Sequence, residues 1–85
     1  MLFNKSSKIS FCGRGGLIYK GANQTYFVDS ELLSGEPDVV IYWMRIQYDD
    51  AKDLPLTTDE KIRIADEVRT ELALHGLSVE LLPIR

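Results

Sequence analysis

A single cysteine, Cys12, excludes an internal disulfide in this chain. Small secreted domains generally carry several cysteines. A single histidine, His75, leaves any His-based metal site or catalytic pair with one candidate. No apolar run is long enough to span a bilayer, and the opening MLFNKSSK has no signal-peptide core. The expectation is a cytoplasmic protein that does not enter a membrane. Basic charge is also scarce in the middle of the chain. Residues 25–60 hold nine acids against Arg45 and Lys52, a net −7. Residues 1–24 hold Lys5, Lys8, Arg14 and Lys20 and no acid, and residues 61–85 balance at four against four. An acidic middle repels a phosphate backbone, which argues against a nucleic-acid partner. It attracts a basic protein instead, and such complementarity raises on-rates by roughly 10–1000-fold at low salt.

The 85 residues make one domain, 1–85, in which 1–7 are expected to fray. A chain of this size buries only about 60–65% of its unfolded surface. Its net stability is then about 4–13 kcal/mol. Little room is left for a deep enclosed cleft, which argues against catalysis. An apolar fraction of 45% and a charged fraction of 27% are ordinary for a folded globule.

Ile9 to Cys12 reads as a first strand, with Cys12 as a small buried hydrophobe beside Phe11. Gly13-Arg14-Gly15-Gly16 supplies a turn, and Leu17 to Lys20 a second strand. Thr25 to Leu33 reads as a third strand. Period-two alternation sets Tyr26, Val28, Ser30 and Leu32 on its core face and Phe27, Asp29, Glu31 and Leu33 on the other. The turn Ser34-Gly35-Glu36-Pro37 leads to a fourth strand, Val39 to Ile46, apolar on both faces. Such a strand is central, covered twice, or exposes one face to a partner.

A polar loop follows from Gln47 to Leu56. Thr57 and Glu60 have capping-box spacing, so a helix starts there. Ile64, Ala65, Val68 and Leu72 line its apolar face, and Gly76 ends it after His75. Leu77 to Leu82 alternates as a last strand before Pro83. The expected fold is α+β: a mainly antiparallel sheet of four to five strands, with one C-terminal helix packed on one face. The expected order is β-β-β-β-α-β, the first four strands forming a meander.

Little of this looks reactive. The Gly13–Gly16 stretch precedes a strand, not a helix, and lacks the Lys-Ser/Thr of a phosphate-binding loop. Asp49, Asp50 and Asp53 lack the ligand spacing, the central glycine and the final glutamate of a calcium loop. His75, at the last helical turn, suits a role in capping carbonyls. No serine has a nucleophile-elbow context. The expectation is a binder with no cofactor and no metal, not an enzyme. Tyr26, Phe27, Tyr42, Trp43 and Tyr48 concentrate in the central hairpin, where aromatics serve packing and also protein contacts.

The order of short motifs adds a resemblance. Gly15-Gly16-Leu17-Ile18-Tyr19 comes first, then Glu31-Leu32-Leu33-Ser34-Gly35 and Val40-Ile41-Tyr42. Pro55, Leu56-Thr57, the helical Ile64 and Leu72, and Gly76-Leu77-Ser78-Val79-Glu80 complete it. Over about residues 13–82 the chain resembles one class of small immunity proteins from bacterial polymorphic-toxin systems. The resemblance implies a cytoplasmic protein that binds a cognate toxin, such as a basic toxin domain, and blocks it. The candidate contacts are Glu31, Glu36, Asp38, Tyr48, Asp49, Asp50 and Asp53. An interface of about 800 Å² per partner needs only one face of such a domain. Two further readings differ in class. One is a homo-oligomeric structural or accessory subunit joined through a sheet face or edge strand. The other is a regulatory nucleic-acid binder using Lys5, Lys8, Arg14 and Lys20.

Overall fold

The computed structural model describes residues 8–51 and 53–85. The expected fraying of residues 1–7, and Lys5 with it, lie outside the described residues. The fold is α+β: the described residues form a four-stranded antiparallel sheet, a second sheet of three strands and one α-helix.

The first sheet begins as expected. β1 (Ile9–Phe11), β2 (Leu17–Lys20) and β3 (Thr25–Val28) form an antiparallel meander. Gly13, at φ +67°, makes the β1–β2 turn, which Cys12 N–H closes onto the Gly16 carbonyl at 2.8 Å. Cys12 lies beyond the end of β1 and is exposed, not buried. Gly16 is needed for a different reason. A Cβ there would stand 2.6 Å from Cζ of Phe27, whose ring lies against it.

The long third strand divides at Asp29. Its second half, β4 (Ser30–Leu32), leaves the first sheet and pairs with β5 (Val39–Tyr42). The expected core face survives the break: Tyr26, Val28 and Ser30 are all buried. The fourth run divides as well. β5 stops at Tyr42, and Trp43–Arg45 coil into a turn of 3-10 helix. The Met44 N–H is met by the Pro83 carbonyl at 3.0 Å. The chain then returns to the first sheet as β6 (Gln47–Tyr48), antiparallel to β3. The first four strands therefore do not form one meander. The segment from β3 to β6 instead stitches two sheets together, in the orders β1-β2-β3-β6 and β4-β5-β7.

Helix α1 (Thr58–Leu74) has the expected capping box, with Thr57 and Glu60 bonded reciprocally. Gly76 at φ +82° ends it. β7 (Val79–Leu82) then pairs with β5 in parallel, a geometry the helical crossover permits. β5 is thus the centre of the second sheet, and all four of its residues are buried. Ile64, Ala65, Val68 and Leu72 join Leu17, Tyr26 and Val28 of the first sheet and Val39 and Ile41 of the second in one core.

Candidate functional site

The seven candidate contacts fall on two sheets. Tyr48 ends β6, the outer strand of the first sheet, and Asp49, Asp50 and Asp53 follow it in the loop toward α1. Glu31 lies on β4, and Glu36 and Asp38 in the β4–β5 connection of the second sheet.

At β6 the register aligns a row of aromatics. Tyr48 is opposite Tyr26, and Tyr26 is opposite Tyr19. The rings stack at 5.6 Å between Tyr48 and Tyr26 and at 6.3 Å between Tyr26 and Tyr19. The row ends at the helix, where the Tyr19 hydroxyl donates to Glu67 Oε1 at 2.8 Å. Burial, then this bond, pushes the Tyr19 hydroxyl up to about 12. Tyr48 remains half-buried at the open end of the row. The Asp49 N–H donates to the Thr25 carbonyl at 2.9 Å, so Asp49 starts the acidic loop from a fixed point. Its side chain is partly exposed, and Asp50 and Asp53 are exposed.

In the second sheet two of the acids are engaged within the fold. The Asp38 carboxylate accepts from the Ser78 N–H at 3.0 Å and from Ser78 Oγ at 3.2 Å. Asp38 therefore ties the start of β5 to the approach of β7. Glu31 Oε1 accepts from the Tyr42 hydroxyl at 2.7 Å and lies 3.6 Å from a guanidinium nitrogen of Arg85. That bond, with burial second, raises the Tyr42 hydroxyl above its ordinary value. Glu36 is exposed in the turn before Pro37.

Three of the helix acids lie beside a basic side chain of the same helix. Arg63 pairs with Glu67 at 2.7 Å, Arg69 pairs with Asp66, and His75 lies 3.8 Å from Glu71. The His75 N–H bonds the Leu72 carbonyl at the helix end. By contrast, among the described residues Glu36, Asp49, Asp50 and Asp53 have no ion-pair partner. Among the described residues these four acids thus sit on turns and loops without an ion pair, and Asp59 at the helix start and Glu80 on β7 also lack one, while Asp29, Glu31, Asp66, Glu67 and Glu71 each lie beside a basic side chain.

Asp29, Tyr42 and Arg85 were not among the expected contacts, yet they meet. Arg85 Nη2 donates to Asp29 Oδ1 at 2.9 Å and its guanidinium lies 4.7 Å from the Tyr42 ring centre. The position of Asp29 beside Glu31 in the sequence was the only available signal, and nothing marked Arg85 as its partner.

Of the basic residues, Lys8 and Lys20 are neighbours, joined by the Lys20 N–H to the Lys8 carbonyl at 2.8 Å. Lys8 faces an open groove of about 420 Å³ whose other wall is Asp66, Glu67 and Glu71, so acids share its surface. Among the described residues no group of three or more His, Cys, Asp or Glu is arranged to hold a metal ion. No helix of the described residues is long and apolar enough to cross a membrane. No family model matches this chain, and neither a curated protein nor a solved structure does.

Proposed function

We propose that this chain is an immunity-type protein that binds and neutralises a basic toxin domain by surface complementarity, in the bacterial cytoplasm. The observation that carries the reading is the distribution of unpaired acids. Among the described residues Glu36, Asp49, Asp50 and Asp53 have no ion-pair partner, and Asp49 and Asp50 follow directly on the edge strand that ends at Tyr48, with Asp53 further along the same loop. Carboxylates on a loop held at both ends, by the Asp49 N–H bond to Thr25 and by the buried Leu56, are presented in place to a cationic partner and steer its approach. Tyr48 offers a ring held by stacking, so it loses little side-chain freedom on binding. The immunity assignment itself rests on the motif resemblance.

The test is growth rescue. The chain is co-expressed with whatever protein the gene next to its own encodes, with and without Asp49→Asn, Asp50→Asn and Asp53→Asn together. Wild type restores growth and the triple variant restores it poorly. A toxic domain that kills equally with and without the wild-type chain refutes the reading.

Self-association is favoured by one separate observation. Met44, Leu54 and Ile62 are large, apolar and 44–56% exposed, and β7 is an edge strand of the second sheet. Light scattering over a concentration series tests it: a mass that stays at one chain excludes it.

A further inference from the structure

We infer that Asp29, Ser30, Glu31 and Tyr42 form an arginine-recognition site, filled in cis by Arg85 and open to an arginine of a partner when Arg85 is displaced. The seated guanidinium defines the site. Arg85 Nη2 and Nε donate to Asp29 Oδ1 and Oδ2 at 2.9 and 3.3 Å, a side-on fork on one carboxylate. Nη2 also donates to the Ser30 carbonyl at 3.2 Å, and Nη1 lies 3.6 Å from Glu31 Oε1. The guanidinium carbon stands 4.7 Å from the Tyr42 ring centre, within cation–π range. Two carboxylates, a carbonyl and an aromatic face therefore converge on one planar cation. An ammonium lacks the planar two-donor fork that matches this carboxylate and stacks less well on the ring.

The acceptors do not depend on Arg85 for their placement. Ser30 and Glu31 are held by pairing with Ile41 and Val40 of β5. The Tyr42 N–H donates to the Asp29 carbonyl at 2.9 Å, and the Tyr42 hydroxyl fixes Glu31 at 2.7 Å. The cation is the looser member: its side chain is 46% exposed, against 14% for Asp29. Two carboxylates also outnumber one guanidinium, so the site stays anionic while Arg85 is in place. A partner arginine inside a larger interface can replace Arg85, whereas free arginine competes poorly against a tethered group. The biological meaning of the site rests on the proposed binding role. Its chemistry does not.

The test is therefore run without any toxin. ¹⁵N-labelled Arg85→Ala protein is titrated with N-acetyl-arginine methylamide and followed by NMR. Saturable shifts at Asp29, Glu31 and Tyr42 are expected, with a Kd of about 1–30 mM. The lysine analogue should bind at least about threefold more weakly. Adding Asp29→Asn to Arg85→Ala should abolish the shifts, and wild type should show them only at the highest concentrations. The same spectra report folding, and Arg85→Gln, which keeps the side-chain stem over Tyr42, replaces Arg85→Ala if the latter is unfolded. In wild type the Arg85 Nε–H resonance gives an independent reading, moving toward its free position as the analogue is raised. A folded variant without saturable shifts, or with equal response to arginine and lysine analogues, overturns the site. Either result leaves the acidic loop and its role untouched. Failure of growth rescue leaves this titration untouched in turn.

Discussion

Asp38 and Ser78, forty residues apart, hold each other by backbone and side chain at once. Asp38 N–H reaches Ser78 Oγ at 2.9 Å, and the Asp38 carboxylate takes the Ser78 N–H at 3.0 Å. The pair sets the register in which β7 enters beside β5. Replacing Asp38 by Ala leaves the Ser78 N–H without this acceptor and should cost about 1.5–3 kcal/mol in urea unfolding. Asp38→Asn, which keeps an acceptor oxygen, should cost less. A loss within about 0.3 kcal/mol for Asp38→Ala contradicts this role.

Tyr19 makes stability depend on alkaline pH. Its hydroxyl, bonded to Glu67, is held at about 12 against an ordinary value of 10. The unfolded chain therefore ionises first. Stability from this group is complete below pH 10 and is lost as pH rises through about 12, for a total of at most about 3 kcal/mol. Tyr42, raised in the same direction, adds to the slope. Tyr19→Phe should flatten the decline without removing it. Unfolding curves taken across that range decide it, and a slope unchanged by Tyr19→Phe counts against the assignment.

The capping box gives an acid-side counterpart. Glu60 is held below its ordinary value by its bond to the Thr57 N–H first, and the Thr57 hydroxyl also contributes. Its contribution is present above the unfolded value of 4.5 and is lost as pH falls through the lower folded value. Glu60→Gln keeps the reciprocal bonds and should remove that pH dependence. Thr57→Ala should lower stability by about 0.5–2 kcal/mol at neutral pH. Circular dichroism melts of the two variants separate the effects.

Gly16 faces a ring, not a void. Gly16→Ala drives a methyl to within 2.6 Å of Phe27, so the ring must move. A loss of about 1–3 kcal/mol is expected, and Phe27→Leu in the same chain should recover part of it. A Gly16→Ala protein as stable as wild type would show that Phe27 rotates freely.

These residues also show what was legible in the sequence. The Thr57–Glu60 box and the Gly76 stop are local devices, readable at fixed offsets, and both stand where the spacing puts them. The inward set Tyr26, Val28 and Ser30 was legible because alternation continues across Asp29 even though the chain changes sheets there. That same continuity hid the break, since no Gly or Pro marks it. Trp43–Arg45 was hidden likewise: an apolar run reads as a strand, and only the Pro83 carbonyl shows why it turns. Cys12 looked buried beside Phe11 because the end of so short a strand carries no signal. The charge of Asp38 and Glu31 was legible, but not their engagement, because Ser78 and Arg85 are distant in sequence. The polar loop of Asp50 and Asp53 was legible and both are exposed, whereas the partial cover of Asp49, whose N–H is tied to Thr25, was not.

The central claim is that free loop carboxylates dock a basic partner. Calorimetric titration of the protein encoded by the adjacent gene with wild type and with the Asp49→Asn, Asp50→Asn, Asp53→Asn variant, at low and physiological salt, tests it most directly. The account predicts a one-to-one complex, weakened by salt. It also predicts an affinity at least about tenfold lower for the variant, a gap that narrows as salt rises. A complex of equal strength for both proteins, or none with wild type, would contradict it.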